Sequence, residues 1–392
     1  KSSAASDVYK RQDGTIEYML QLDYIIDSFS KTKVRKMKPF IRNLLRMSVY
    51  QIKYMDAVPD SAVCNEAVKL AKRHKFAQLS GFVNGVLRNI ARNIDSVQFD
   101  TLSIRYSMPQ WIVDRFVSAY GEKKAEEIFK AFHSKSTISI RTNLTRCTPD
   151  ELRAMLEAEG VTVTAVDELN YAFVISGFDY LNGLQSFRDG LFYVQDISSM
   201  LVAQTAAPKK GDYVIDVCAA PGGKSTHIAE LLQGSGHVLA RDLTDNKVDM
   251  IEENIERHGL NNMSAEVWDA TVFDADSAGK ADILICDLPC SGLGVLGRKK
   301  DIRYKMTPES VDELAALQRQ ILDTVHTYVK PNGVLVYSTC TIDEAENEDN
   351  VRWFIEKHPE FELDKSFAEG TGMKQILPGE HGSDGFLSLI HI

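Results

Sequence analysis

A chain of 392 residues is too long for one ordinary core and is expected to form two or three domains. Its 44% hydrophobic and 26% charged residues are those of a folded soluble protein, and no apolar run approaches the ~18 residues needed to cross a bilayer. The net charge of −10 conceals a basic N-terminal part, since residues 31–75 hold 12 Lys and Arg against 3 Asp and Glu. Such an excess suits a polyanion partner or, equally, a solvated helical face.

The six cysteines (Cys64, Cys147, Cys218, Cys286, Cys290 and Cys340) include no Cys-x-x-Cys pair. That pattern points to reduced thiols in the cytoplasm, with neither a disulfide framework nor a metal site. Cys286 lies within the apolar run 283–286 and reads as core. No apolar leader is visible.

Residues 1–12 and 387–392 have neither helical nor strand periodicity. They resemble translated adapter sequence and are expected to be non-native, the natural protein continuing beyond both. Residues 13–104 form a helical domain. Phe40, Ile41, Leu44, Leu45, Val49 and Ile52 recur at three- and four-residue spacing, and so do Phe82, Val83, Val86, Leu87 and Ile90. Residues 105–200 read as a small α+β subdomain. Helices are expected near 111–119, 125–132 and 149–159, and strands at 137–142, 161–166 and 171–175.

Residues 201–386 change rhythm. Strands at 213–217, 237–240, 265–268, 282–286 and 334–337 alternate with helices at 224–232, 246–258 and 308–328. That alternation predicts a Rossmann-like α/β domain whose parallel sheet binds its ligand beyond the strands' carboxyl ends.

The first of these strands ends in Asp216-Val217-Cys218-Ala219-Ala220-Pro221-Gly222-Gly223-Lys224, a glycine turn that opens a helix. Asp242 ends the next strand, 26 residues after Asp216, where a carboxylate can bind ribose hydroxyls. Asp269, ending the third strand, is placed to reach an adenine amine. Together they predict an adenosine cofactor. Gly223-Lys224-Ser225 also supplies the end of a P-loop, but Cys218 replaces the first glycine and Pro221 removes an amide donor.

Cys290, in a Pro-Cys-Ser-Gly turn, and Cys340, after Tyr337-Ser338-Thr339, each follow a strand. A single cysteine is most often core, whereas two at successive strand ends point to chemistry. A free thiol has a pKa of about 8.5 and needs a nearby positive charge, which Lys224 or a sulfonium cofactor would supply.

The blocks DVCAAPGGKST, DLPCSGLGVLGRKKDIRYK and YSTCTIDEAENEDNV resemble those of the NOP2/Sun family of RNA (cytosine-5)-methyltransferases. The N-terminal LLRMSVYQIKYMDAVPDSAVCNEAVKLAKRHKFAQLSGFVNGVLRNI resembles a NusB-like RNA-binding domain. The resemblance covers about residues 13–386. It implies S-adenosyl-L-methionine held by Cys218, Ala219, Ala220, Pro221, Gly222, Gly223, Lys224, Asp242, Asp269 and Asp287. It implies Cys340 as the nucleophile and Cys290 as the residue that helps release product.

The implied substrate is a specific cytosine of 16S ribosomal RNA, free or in an assembling small subunit, methylated at C5 by a monomeric enzyme. A protonated Asp287 would hydrogen-bond the ring N3, and the base must leave its stack. Arg298, Lys299, Lys300 and Arg303 are candidates for phosphate contacts. Leu288 stands where the family usually has a small residue, and the short ending predicts an incomplete last strand. The alternatives are a tRNA cytosine-5 methyltransferase, an RNA-binding protein with a vestigial catalytic part, and a P-loop NTPase.

Overall fold

The computed structural model describes residues 2–134, 137–167, 169–365, 368–380 and 383–388. The ends read as non-native therefore fall partly outside it, at residue 1 and residues 389–392. The chain forms two compact units, Lys1–His133 with Arg303–Lys305, and Ser134–Ile302 with Met306–Ile392. Among the described residues no helix is long and apolar enough to cross a membrane.

The first unit is helical. Helices Met19–Phe29, Pro39–Tyr54, Asp60–Arg73 and Ser80–Asn93 bury Leu22, Ile26, Leu45, Val49, Val83 and Leu87 in one core. Leu45, Val49, Val83 and Leu87 lie on the faces that the apolar spacing predicts. Each fully buried side chain of this kind contributes roughly 1.5–3 kcal/mol. Helices Gln110–Tyr120 and Glu122–Phe132 belong to this unit, although sequence spacing places them with the α+β subdomain. A helix also spans Ser2–Glu17, where no periodicity signals one. Within the basic stretch Lys31, Arg35, Lys36, Lys38, Lys72 and Lys75 are exposed, whereas Arg46 is committed to Asp23 at 2.5 Å.

The second unit carries two sheets. The smaller is antiparallel, in the order β2-β3-β1-β4, with β1 Ile138–Thr142, β2 Thr162–Val166, β3 Leu169–Ser176 and β4 Phe192–Val194. Thr148 and Glu151 form a capping box that starts the helix Pro149–Ala158.

The larger sheet contains β5 Tyr213–Asp216, β6 His237–Asp242, β7 Met263–Val267, β8 Ala281–Asp287, β9 Val329–Thr339, β10 Lys374–Ile376 and β11 Phe386–Ser388. Its order among the described residues is β10-β11-β9-β8-β5-β6-β7. The strands from β9 to β7 are parallel, and β11 adds antiparallel to β9.

Alternation along the strands sends Val214, Val238, Ile283 and Val336 to one face, under helices that contribute Ala203, Ile228 and Ile251. Ile215, Leu284, Cys286 and Leu335 go to the other, under Ile321, Val325 and Phe354. Both faces are covered, as a parallel sheet requires. Cys286 is core, and Leu288 joins the same cluster.

The two sheets are joined by a buried polar knot. Arg141 on β1 donates Nη1 to Glu230, Nη2 to Thr226 Oγ1 at 3.1 Å and Nε to Gln195 Oε1 at 2.8 Å. Glu230 and Thr226 lie on the helix Gly223–Leu231, so the knot fixes the small subdomain against the helix that the glycine turn opens.

Candidate active site

The larger sheet reverses its strand order at β5, with β6 and β7 on one side and β8 and β9 on the other. Ligands on such sheets bind beyond the carboxyl ends at that reversal. The sequence-predicted residues gather there. β5 ends at Asp216 and enters the turn Cys218–Lys224, β6 ends at Asp242, β8 ends at Asp287, and Cys340 is the first residue after β9. Asp269 comes just after β7, beside a Trp268 N–H that donates to the Asp242 carbonyl at 2.9 Å.

The turn hangs from the end of β6. Ala219 N–H donates to the Arg241 carbonyl at 2.8 Å, and Ala220 N–H to Asp242 Oδ2 at 2.9 Å. The Ala220–Pro221 peptide is cis. Gly222 follows at φ +101° and caps the helix Gly223–Leu231. That backbone conformation is open to glycine and strained for residues with a Cβ. A Cβ on Gly223 would stand 3.2 Å from the Tyr193 ring.

Beneath the turn, Asp216 accepts from Ser225 Oγ and the Cys218 N–H, yet burial pushes its carboxyl up to about 7. Burial likewise pushes the Cys218 thiol up. Asp242 Oδ1 accepts from Lys247 Nζ and the Leu243 N–H, both at 2.8 Å. The Thr271 hydroxyl and N–H, at 2.7 and 2.9 Å, hold Asp269 below the usual carboxylate range.

β8 and β9 pair with Asp287 opposite Ser338, which brings the two cysteine turns together. The sulfurs of Cys290 and Cys340 lie 3.1 Å apart, close enough for one thiol to donate to the other. Three charges decide the direction. Lys299 and Lys224 favour a thiolate on Cys340, whereas Glu346 disfavours one on Cys290. Asp287 opposes charge on both, and the Cys340 N–H, 3.3 Å from Cys290 Sγ, works weakly the other way. These influences favour Cys290 as the donor and Cys340 as the acceptor of the bond between them. The Cys290 hydrogen bond holds Cys340 below the ordinary thiol range despite burial, and the same bond with burial drives Cys290 well above it.

Asp287 accepts from Lys224 Nζ at 2.7 Å and Ser338 Oγ at 2.8 Å. The sequence reading makes Asp287 a protonated donor; with an ammonium on one oxygen and a hydroxyl on the other, both oxygens act as acceptors. Burial lowers Lys224, but the charges of Asp287 and Asp216 outweigh it and the ammonium is raised.

Of the cations expected to meet phosphates, Arg298 is engaged by Asp196 at 2.6 Å and Asp384 at 2.5 Å. Arg303 is fully buried in the helical unit beside the Glu17 carbonyl, so neither a phosphate contact nor a solvated loop describes it. Lys299 is exposed.

Sequence reasoning missed the support under the thiols. Glu346, inside the quoted TIDEAENEDNV block, is fully buried and accepts from Ser291 and Gln318. Asp343, Glu344, Glu348 and Asp349 surround it in the chain, and nothing in that acidic run marks one member as buried. Among the described residues, the His/Cys/Asp/Glu group close enough to hold a metal is Asp323, His326 and His358, and it includes no cysteine.

Residues 203–389 match the 16S rRNA methyltransferase RsmB/F family, residues 6–92 the NusB family, and residues 108–178 the ferredoxin-like domain of RsmF/B-like methyltransferases. A probable ribosomal RNA small subunit methyltransferase B from Bacillus subtilis is 38% identical over 391 residues, spanning 95% of this chain and 87% of the relative. The chain belongs to the RsmB/F 16S rRNA methyltransferase family.

A ribosomal RNA small subunit methyltransferase B from Salmonella paratyphi A is 31% identical, with the same 95% and 87% coverage. The crystal structure of PH0851 matches with a TM-score of 0.85 at 25% identity, over 98% of this chain and 89% of that one. As an RsmB/F methyltransferase the chain uses S-adenosylmethionine, and the P-loop reading falls away. The residues fit that cofactor. Asp242 and Asp269, at the ends of adjacent strands, are carboxylate acceptors of the kind the hydroxyls and amine of an adenosine require.

Proposed function

We propose that this protein methylates C5 of a specific cytosine in 16S ribosomal RNA through a transient bond between Cys340 and C6 of the base. The observation that carries this reading is the contact of two sulfurs, 3.1 Å apart, where β8 and β9 end beside the cofactor turn. S-adenosylmethionine, when bound by Cys218–Lys224, Asp242, Asp269 and Asp287, supplies an electrophilic methyl group.

C5 of cytosine is a weak nucleophile. Addition of the Cys340 thiolate to C6 forms a C–S bond and moves the ring electrons to C5, an enamine-like carbon. Lys224 and Lys299 favour the attacking thiolate. Asp287, with Lys224 and Ser338 on its oxygens, is placed to hold the polar edge of the base as an acceptor. Once C5 carries the methyl group, its proton must leave to a base, and the C5–H electrons then expel Cys340. The Cys290 sulfur, in contact with Cys340, is the group we assign to that release.

The exposed cations of residues 31–75 suit ribosomal RNA phosphates, and cytoplasmic placement accords with such a substrate. An intact turn, paired carboxylates and adjoining thiols argue against a vestigial catalytic part.

The test is direct. Purified protein with S-adenosylmethionine should convert cytidine in 16S rRNA to 5-methylcytidine, read by nucleoside mass spectrometry. Bisulfite sequencing of rRNA from cells lacking and regaining the gene should locate it. Methylation of tRNA in place of 16S rRNA, or of another atom, would overturn the assignment.

Gly222→Ala tests the cofactor turn. A Cβ at φ +101° would strain the backbone and stand 3.4 Å from Ile251. With strain of order 1–3 kcal/mol, S-adenosylmethionine affinity should fall about tenfold in a calorimetric titration. Unchanged affinity would place the cofactor elsewhere.

A further inference from the structure

A polar network beneath the two sulfurs holds their turns together. Ser291 directly follows Cys290, Thr341 directly follows Cys340, and their hydroxyls are 3.0 Å apart. Glu346 lies under both. Its Oε1 accepts from the Ser291 N–H at 2.8 Å and Gln318 Nε2 at 3.0 Å, and its Oε2 accepts from the Ser291 hydroxyl. Gln318 Nε2 also reaches the Pro289 carbonyl at 2.8 Å, so the residues on both sides of Cys290 are gripped. Asn350 and Tyr337 hold Gln318 Oε1 at 2.7 and 3.1 Å.

Three donors converge on one fully buried carboxylate. A carboxylate accepts from all three; the Ser291 N–H and Gln318 Nε2 can only donate, whereas the Ser291 hydroxyl could turn to Thr341 and accept from a glutamine. The largest charge influences on Cys290 come from Cys340, Glu346 and Asp287, and each disfavours its thiolate. Those acting on Cys340 include Asp287, Lys299 and Lys224; burial, with Asp343, raises the Glu346 carboxyl, and the hydrogen bonds from Ser291 and Gln318 work against that rise.

We propose that Glu346 is a positioning residue for both sulfurs: it clamps the Pro-Cys turn against the Thr-Cys turn, and as a carboxylate beside Cys290 it disfavours negative charge on that sulfur relative to Cys340. This deepens the reaction proposed above and rests on it for its catalytic meaning, but its thiol chemistry can be measured without RNA.

The experiment is iodoacetamide alkylation of the full chain across a pH series, with each cysteine quantified by peptide mass spectrometry. In the parent protein Cys340 should label at lower pH than Cys290. Glu346→Gln removes the charge with little change of shape, and Cys290 should then label about tenfold faster at a given pH, as a unit shift in thiol pKa requires. Glu346→Asp, which keeps the charge, should restore slow labelling. Ser291→Ala loosens the clamp at a different residue and should narrow the contrast between the two cysteines, which keeps the test alive should Glu346→Gln fail to fold.

If Cys290 labels identically in the parent, Glu346→Gln and Ser291→Ala proteins, the positioning role is wrong. Altered labelling in a protein that makes no 5-methylcytidine would instead sink the reaction and leave the clamp standing.

Discussion

Cys340→Ala should reduce 5-methylcytidine formation by on the order of 10³-fold or more, because the covalent route to an activated C5 is lost outright. S-adenosylmethionine binding should stay within about threefold, since the cofactor turn is built from β5 and β6 and this sulfur is not part of it. The pH dependence gives an independent check. Cys340 is held below the ordinary thiol range, chiefly by the Cys290 hydrogen bond, with help from Lys299 and Lys224. Its reactive fraction therefore rises with pH through that lowered value. The rising limb of kcat/KM should lie below the free-thiol range of about 8.5. Lys299→Ala removes a cation that favours the thiolate, so it should move that limb to higher pH. Full turnover by Cys340→Ala would end the nucleophile assignment.

The catalytic half of the fold is legible because a parallel sheet covered on both faces writes short apolar runs between helices. Leu284, Ile285 and Cys286 are such a run, and all are fully buried. Strand ends are legible for the same reason, so Asp216, Asp242, Asp287, Cys290 and Cys340 could be placed on one edge of the sheet before any coordinates. β4, β10 and β11 have three residues each, and β10 and β11 exist only by pairing onto the β9 edge. So short a run carries too little periodicity to read.

Partners distant in sequence are hidden in the same way. The charge of Arg298 says nothing of Asp196, 102 positions away, and Arg303 looks like a surface cation until it is found buried beside Tyr304 and Glu17. Glu346 is the most telling case. Its burial follows from the Ser291 and Gln318 donors, 55 and 28 positions away, which no local pattern in an acidic stretch encodes.

Cys290→Ala should trap the enzyme on its substrate. The sulfur of Cys290 touches that of Cys340, and Asp287, the carboxylate near both, is already occupied by Lys224 and Ser338. With Cys290 gone, addition at C6 can still proceed from Cys340, because Lys224 and Lys299 remain to favour its thiolate. Expulsion of Cys340 would then lack the Cys290 S–H that stabilises the departing thiolate, even though water can still take the C5 proton. The expected outcome is one round of methylation followed by a protein–RNA adduct that survives denaturing electrophoresis and disappears on ribonuclease digestion. The double variant Cys290→Ala/Cys340→Ala should form no adduct, which ties the covalent bond to Cys340. Loss of the Cys290 hydrogen bond also removes the chief influence lowering Cys340, so adduct formation in Cys290→Ala should need higher pH than turnover by the parent protein. Normal turnover by Cys290→Ala with no adduct at any pH would show that release is assisted by another group, and that the contact between the sulfurs serves attack alone.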